Sequence, residues 1–505
     1  MKCFSFLLFF LFFAKCACFR ILGLNPFDGK SHFVMFERLY MELARRGHEL
    51  DVLSHFPREK PVPRYTDISL KGSLPNLVGN FSFELVKDTT TTTMMNIITG
   101  MCGTNICENA FKHPLTLKLK NTKKKYDLII TEIFGTDCMF GFAHHFDVPV
   151  VTLTTSVNQP WGNSRFGNPE EPTYIPSYFL PYTTNMSLVE KFWNIWNSFY
   201  TKIYYYKKSI EPSDYYVKQF FGEDTPHLTE LISRYSSLHM VNSHFSINPA
   251  RPWVPNVIEV GGLHINDPRP LTDSYKTVMS LEDKYKGVVY MSFGSLLMLQ
   301  TLPLDGLKVL FSTFSLLSDY KFLVKGDKSK IPDSVIISPN VIFKSWTPQI
   351  DILCHPNVVL FISHAGLMGT QESVFCGVPI LEMPFFGDQT LNAKNLVLKG
   401  SALEISFIDM SKEEILNVLK ELLENPKYRE TAKQLSIQFK DRPLSAMDTA
   451  IYWIEYVIRH NGAKQLRSHA SDMTFFEYYY IDIFLGIFLP FYIIKKLIAS
   501  KLKRR

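Results

Sequence analysis

Between Trp346 and Gln389 the chain sets out polar and aromatic groups at intervals that suit a ligand site: Trp346, Gln349, His364, Glu372 and the pair Asp388-Gln389. His364 follows an apolar run, Val358–Ile362, and precedes a segment that reads as a helix. In doubly wound sheets, ligands bind beyond the carboxyl ends of strands, where helix N-termini offer unpaired N–H groups. Gly366 and Gly369 would let a diphosphate approach the backbone closely. A lone histidine at such a turn is more often structural. Here it has Trp, Gln, Glu and Asp-Gln for company, which favours a site.

The elements that must position these groups are legible as alternating strands and helices. Arg20–Leu24 is an apolar run, and Asn25–Lys30 is turn chemistry. Phe36, Leu39, Tyr40 and Leu43 then recur at the spacing of an amphipathic helix, with Ser31 placed to cap it and Gly47 to end it. Glu49–Leu53, Tyr126–Thr131 and Val148–Leu153 read as buried parallel strands. The stretch of about 160–245 is aromatic-rich and gives no clear boundaries. After Gly261-Gly262, the run Asn266-Asp267-Pro268-Arg269-Pro270 breaks the pattern. Val288–Phe293, Tyr320–Val324, Val341–Phe343, Val358–Ile362 and Pro379–Met383 then alternate with helical segments. The fold class is therefore α/β: two doubly wound domains in tandem, with the cleft between them as the default site.

Composition narrows the class. The 505 residues exceed one ordinary domain, and 46% hydrophobic against 20% charged residues excludes a disordered chain. Lys495, Lys496, Lys501, Lys503, Arg504 and Arg505 account for the whole formal charge of +6, so no distributed basic face argues for nucleic acid. Phe4–Ala14, behind Lys2 and ahead of Cys16-Ala17-Cys18, has the form of a secretory signal peptide. Tyr478–Ile494 is apolar apart from Asp482 and is followed by Lys495-Lys496. It suggests a single C-terminal membrane span with a basic cytosolic tail, although Pro490 and the shortness of the run weigh against it.

The expected layout is a signal peptide over 1–18, a first domain over 19–265, a linker over 266–285 and a second domain over 286–445. Helices over 446–475, a transmembrane helix over 476–496 and a tail over 497–505 follow. Of the eight cysteines, five lie beyond the signal region, an odd number that argues against a disulfide framework. Cys102 and Cys107 are close enough in sequence to pair across a small loop. No Cys/His cluster has metal spacing. Asn80 and Asn185 open glycosylation sequons that matter if the body is lumenal.

Taken together, these motifs resemble the UDP-glycosyltransferase family that includes the glucuronosyltransferases, and its invertebrate members most. The resemblance rests on Trp346–Gln389, Ser31-His32, Arg46-Gly47-His48, Gly261-Gly262, Ser292–Ser295 and the C-terminal end, and so runs over essentially the whole chain. It implies a GT-B arrangement of two Rossmann-like domains, a UDP-sugar donor, a small lipophilic acceptor and a body in the lumen of the endoplasmic reticulum. Lys501 and Lys503 are similar to a dilysine retrieval signal. Homo-oligomers are compatible with this reading. No cofactor and no metal are implied, since the UDP-sugar is a co-substrate.

Position by position, the resemblance implies that Trp346 packs on uracil and Gln349 bonds the nucleoside. Ser295 and His364 contact the diphosphate, and Glu372 binds the ribose. Asp388 and Gln389 hold the sugar, with Asn392 nearby. The chemistry agrees, since an indole face suits a pyrimidine and a carboxylate accepts from vicinal hydroxyls. His364-Ala365-Gly366 departs from the usual His-Gly-Gly. Met368 and Gly369 stand where relatives place a polar group, so phosphate contacts would lean on backbone N–H groups and Thr370. Arg251 is either a cation near the donor or a solvated linker residue. His32 is implied as the base for the acceptor hydroxyl, with Glu132 as its carboxylate partner and Asp137 as the alternative. His48, at the start of a strand, reads as structural.

Two other classes are weighed. An NAD-dependent oxidoreductase would need a Gly-x-Gly-x-x-Gly turn, which the chain lacks. A non-catalytic carrier of lipophilic ligands that keeps the fold would account for the Glu132 and Met368 departures.

Overall fold

The computed structural model describes residues 18–75, 82–87, 89–281, 284–295 and 297–503. The expected signal peptide, the sequon at Asn80 and the last two arginines lie outside the described residues, the signal segment but for Cys18.

Two parallel sheets organise the chain. The first holds β1 (Arg20–Asn25), β2 (Glu49–Ser54), β3 (Tyr65–Ser69), β4 (Leu128–Glu132), β5 (Val150–Thr154), β6 (Ser236–Val241) and β7 (Val257–Glu259), in the order β3-β2-β1-β4-β5-β6-β7. The second holds β8 (Gly287–Ser292), β9 (Tyr320–Lys325), β10 (Val341–Lys344), β11 (Val358–Ser363), β12 (Ile380–Glu382) and β13 (Ala402–Glu404), in the order β10-β9-β8-β11-β12-β13. Both orders reverse direction once, at β1/β4 and at β8/β11. Those reversals are the switch points at which doubly wound sheets bind ligands.

The apolar runs form strands because helices cover both faces of each sheet, so alternate side chains are equally buried. Ile21, Leu22 and Leu24 of β1 are fully buried, but they face two different cores. The helix Lys30–Arg45 buries Phe33, Phe36, Leu39, Tyr40 and Leu43 against one of these. It starts earlier than its capping signal suggested. Gly29 is the N-cap with no side-chain bond, and Ser31 is already inside the first turn.

One contact adds to the expected layout, and two expectations are corrected. The helix Ala446–Arg459, after the second sheet, crosses back to the first domain. Its Ala450, Ile451, Ile454 and Val457 join the core of the Lys30–Arg45 helix, and Asp448 pairs with Arg46. Cysteine parity also misled: Cys107 pairs with Cys138 and Cys354 with Cys376, while Cys102 is free and buried. The expected transmembrane helix over 476–496 is not met. Ile481–Lys503 is helical, but among the described residues no helix is long and apolar enough to cross a membrane. Its apolar run, Ile483–Ile494, is 12 residues long and contains Pro490, against about 20 residues for a span.

Candidate active site

His32 sits in the first turn of the Lys30–Arg45 helix, beyond β1, and Glu132 is the last residue of β4. These neighbouring strands bring side chains 100 residues apart to an Nδ1···Oε1 distance of 2.6 Å. Thr155, just past β5, tightens the pair: its hydroxyl donates to Glu132 Oε1 at 2.9 Å and lies 3.0 Å from His32 Nδ1. Phe27 and Phe134 flank the imidazole, with ring centroids at 4.8 and 4.6 Å. Carboxylate on one side and aromatic walls on the other fix the ring. Nδ1–H is committed to Glu132, which leaves the Nε2 lone pair for a substrate.

Asp137 is not the partner. It is buried in an ion pair with Arg165 and accepts the Tyr205 hydroxyl at 2.7 Å. His48 is buried, stacks on Phe19 and contacts Glu455 at 3.3 Å, which is a structural role.

The second domain presents its groups at the β8/β11 switch point. Ser295 follows β8, and its buried Oγ has no hydrogen-bond partner among the described residues. His364 follows β11, and its ring is seated between two glycines. A Cβ on Gly294 would come within 2.9 Å of the ring, and one on Gly366 within 2.5 Å of Nε2. Gly366 is therefore needed first for the imidazole. Burial, with Lys325 nearby, lowers His364 to about 4, so it stands neutral at the head of the Leu367–Cys376 helix. Its buried Nδ1 has no partner among the described residues.

Gln349 and Glu372 form one unit. Gln349 Nε2 donates to Glu372 Oε2 at 2.7 Å, and Tyr290 OH donates to Gln349 Oε1 at 3.1 Å. Gly369 lies against that amide, where a Cβ would approach Nε2 to 3.1 Å. Burial raises Glu372 to about 7 against the pull of Gln349 and Lys325. His264 is 3.7 Å away and, lowered to about 4 by burial, adds no charge. Trp346 is 61% exposed.

Toward the first domain, Asp388 caps the Gln389–Lys399 helix without bonding it. Asn392 Nδ2 donates to Asp388 Oδ2 and to Ala365 O, both at 3.0 Å, so Asn392 is a strut between two loops. Gln389 Oε1 accepts from the amides of Phe385 and Phe386 at 2.8 and 3.1 Å, which leaves its NH₂ for other partners. Burial raises Asp388, with its hydrogen bond from Asn392 acting against the rise.

Thr370 does not reach this cleft. It is fully buried, and its hydroxyl lies beside the Glu382 carboxyl. Arg251 is part-buried, in a crevice that it shares with Asn158 and with Leu391 and Asn395 of the Gln389–Lys399 helix; it stacks on Trp253 at 5.3 Å and has Glu259 as its charge partner.

Two residues escaped the sequence reading. Thr155 is one. The other is Lys325, the last residue of β9, whose Nζ donates to Gly294 O at 3.0 Å and lies 4.4 Å from the Trp346 ring centroid. Thr155 directly follows β5 and Lys325 ends β9, strands that were legible, and the carboxyl ends of strands are where such residues belong.

Two facing doubly wound domains, with a His–carboxylate pair on one and a glycine-seated histidine at a helix N-terminus on the other, define a glycosyltransferase of the GT-B class. Comparison gives the family. The profile described as UDP-glucoronosyl and UDP-glucosyl transferase matches residues 26–504, and the chain belongs to that family as a UDP-dependent glycosyltransferase. Among relatives, UDP-glycosyltransferase UGT5 of Dactylopius coccus is 36% identical over 490 residues, covering 95% of this chain and 91% of its own. UDP-glucuronosyltransferase 2B14 of Oryctolagus cuniculus is 30% identical over 398 residues, covering 77% and 73%. The solved UDP-glucose: anthocyanidin 3-O-glucosyltransferase in complex with UDP shares the fold at a TM-score of 0.56. It is 16% identical and covers 87% of this chain and 99% of that one.

Proposed function

We propose that the protein transfers a hexose, glucose in preference to glucuronate, from an α-linked UDP-sugar to hydroxyls of small lipophilic acceptors, with inversion. The observation that carries this reading is the His32–Glu132 pair at the β1/β4 switch point.

In the step, the acceptor O–H gives its proton to His32 Nε2 while the oxygen bonds to the anomeric carbon. The bond from that carbon to the β-phosphate oxygen breaks, and UDP leaves with the electron pair. Glu132 stabilises the imidazolium. The amides at the N-terminus of the Leu367–Cys376 helix, with His364 and Ser295, meet the charge on the diphosphate. Trp346 stacks on uracil, Gln349 bonds the nucleoside, and Glu372 accepts from the ribose hydroxyls. Asp388 and Gln389 take the sugar hydroxyls.

Glucose is favoured because the group placed to face the sugar is the carboxylate of Asp388, while the cation Arg251 is matched in charge to Glu259. A lipophilic acceptor suits the pocket beside Glu132, lined by Pro26, Phe27, Ile106, Phe134 and Met139. Two disulfides and an exposed sequon at Asn185 support a place in the lumen of the endoplasmic reticulum.

The test is radiolabelled transfer by microsomes expressing the chain, from UDP-glucose and from UDP-glucuronate, against phenols and steroids. Glucosyl transfer is expected to fall by roughly 10²–10⁴-fold in His32→Ala. No transfer from either donor, in protein that binds UDP, would replace this reading with that of a non-catalytic carrier.

A further inference from the structure

Two short helices carry the bonded pair Gln349 and Glu372, and a disulfide joins those same two helices. Gln349 opens the helix Gln349–Leu353, and Cys354 caps its end. Glu372 lies one turn before Cys376, the last residue of the helix Leu367–Cys376. Cys354 and Cys376 are bonded, with Cα atoms 4.7 Å apart. The loop this bond closes contains β11, His364 and Glu372.

The first helix has little of its own to hold it. Its five residues make little more than one turn, far below the roughly 12–15 at which an isolated helix is even marginal. Pro348, its N-cap, supplies no side-chain bond. Ile352 and Leu353 are buried in a core with Phe361 and Val374, which fixes one face of the turn. The half-buried Cys354–Cys376 bond fixes its C-terminal end, where Cys376 Sγ lies 3.9 Å from Ile350 O. At the opposite end, Gln349 Nε2 donates to Glu372 Oε2 at 2.7 Å. A slip of about 1 Å between the helices would break that contact. The other disulfide, Cys107–Cys138, lies in the core of the first domain.

We propose that the Cys354–Cys376 disulfide is a positioning element for the UDP-sugar, holding Gln349 and Glu372 together so that its loss weakens UDP binding and spares the transfer step. This role presupposes that the two side chains hold the nucleoside, as proposed above. With the loop closed, both are ordered before the ligand arrives; with it open, binding itself must order them, at a loss of affinity on the order of 10-fold. His32 and Glu132 stand at the other sheet, so proton transfer does not depend on this bond.

The test measures UDP affinity by calorimetry, and donor KM and kcat, on the full chain carrying Cys354→Ser/Cys376→Ser. Kd and KM are expected to rise about 10-fold, with kcat at saturating donor held within about 2-fold. A bond that served stability alone would lower the active fraction, and so kcat, and would spare KM. Dithiothreitol gives a disulfide two electrons and two protons and leaves as its own cyclic disulfide. Once thiol counting shows the bonds open, it should bring the wild type to the variant's Kd and add nothing in the variant, which keeps Cys107–Cys138. An unchanged Kd in the variant, a weakening that reduction of the wild type does not reproduce, or a lowered kcat at unchanged KM would each overturn the proposal. Glu372→Gln separates it from the reading beneath it. Weaker UDP binding in that variant beside an unaffected disulfide variant strikes the disulfide's role alone, whereas no weakening in either strikes the donor site as well.

Discussion

In the proposed donor site, Glu372 joins a binding role to a titration. Its carboxyl is raised to about 7, by burial first, and accepting from two ribose hydroxyls would require it ionised. Donor binding therefore favours the deprotonated form and should weaken as pH falls below 7, approaching tenfold per pH unit. Calorimetric titration of UDP between pH 6 and 8 reads this slope, and Glu372→Gln should flatten it at lower affinity. An unchanged slope in the variant would place the titrating group elsewhere. Glu382 gives the opposite kind of prediction. It is fully buried beneath the His364 turn, with the Thr370 and Ser363 hydroxyls and the Ala365 backbone beside its carboxyl. Burial, then Glu404 on the adjacent strand, raises it to about 8 from its ordinary 4.5. The folded state thus holds a proton that the unfolded state releases. The stability this confers is complete below pH 4.5 and is lost as pH rises through 8. Glu382→Gln should remove that decline and gain about 1–3 kcal/mol at pH 8, measured by denaturant unfolding across pH. Ala365, buried with φ 63, adds a smaller strain; Ala365→Gly should stabilise by about 1 kcal/mol.

At the scale of elements, the strands were legible because parallel strands buried on both faces read as unbroken apolar runs. Their ends located most of the site. His32, Glu132 and His364 each follow or end such a run, and the topology gives the reason: they stand at the two switch points. What stayed hidden depends on contacts far apart in sequence. Nothing near Thr155 or Lys325 marks one as the brace of a pair 123 and 23 residues away, or the other as the cation over Trp346. Cys107–Cys138 and Cys354–Cys376 answer to proximity in the fold, which parity cannot read. Periodicity failed over Leu188–Tyr205 for a physical reason. The method assumes that apolar side chains face inward, and there the stripe faces out. The brace itself is testable. Thr155→Val removes the hydroxyl that bonds Glu132 while preserving shape. It should lower kcat by roughly 10-fold, with little change in the KM for the donor and with recovery in Thr155→Ser. Steady-state kinetics on the three proteins would separate this from a general packing defect, which would spare neither parameter.

In the whole molecule, the chain passes between the two sheets twice, and the second crossing binds the end of the sequence to its beginning. At the first crossing, Gly262 N donates to Gln371 Oε1 at 2.9 Å, and Arg442 donates to Gly261 O at 3.0 Å. At the second, Ala446–Arg459 lays Ile454 and Val457, both fully exposure-free, into the core that supports the Lys30–Arg45 helix. The helix that carries His32 therefore rests on residues more than 400 positions further along the chain. Ile454→Ala should cost about 2–4 kcal/mol through lost burial and the cavity left behind. The loss should fall on the first domain. Hydrogen exchange would then quicken in β1, β2 and the Lys30–Arg45 helix while β8, β9 and β11 keep their protection. Equal acceleration in both sheets would mean that the two domains unfold as one unit, and that the crossing helix ties their stabilities together instead of serving the first alone. Because His32 sits in the first turn of the helix so loosened, transfer should fall further in this variant than UDP binding does. The donor groups, by contrast, stand on strands that Ile454 does not touch.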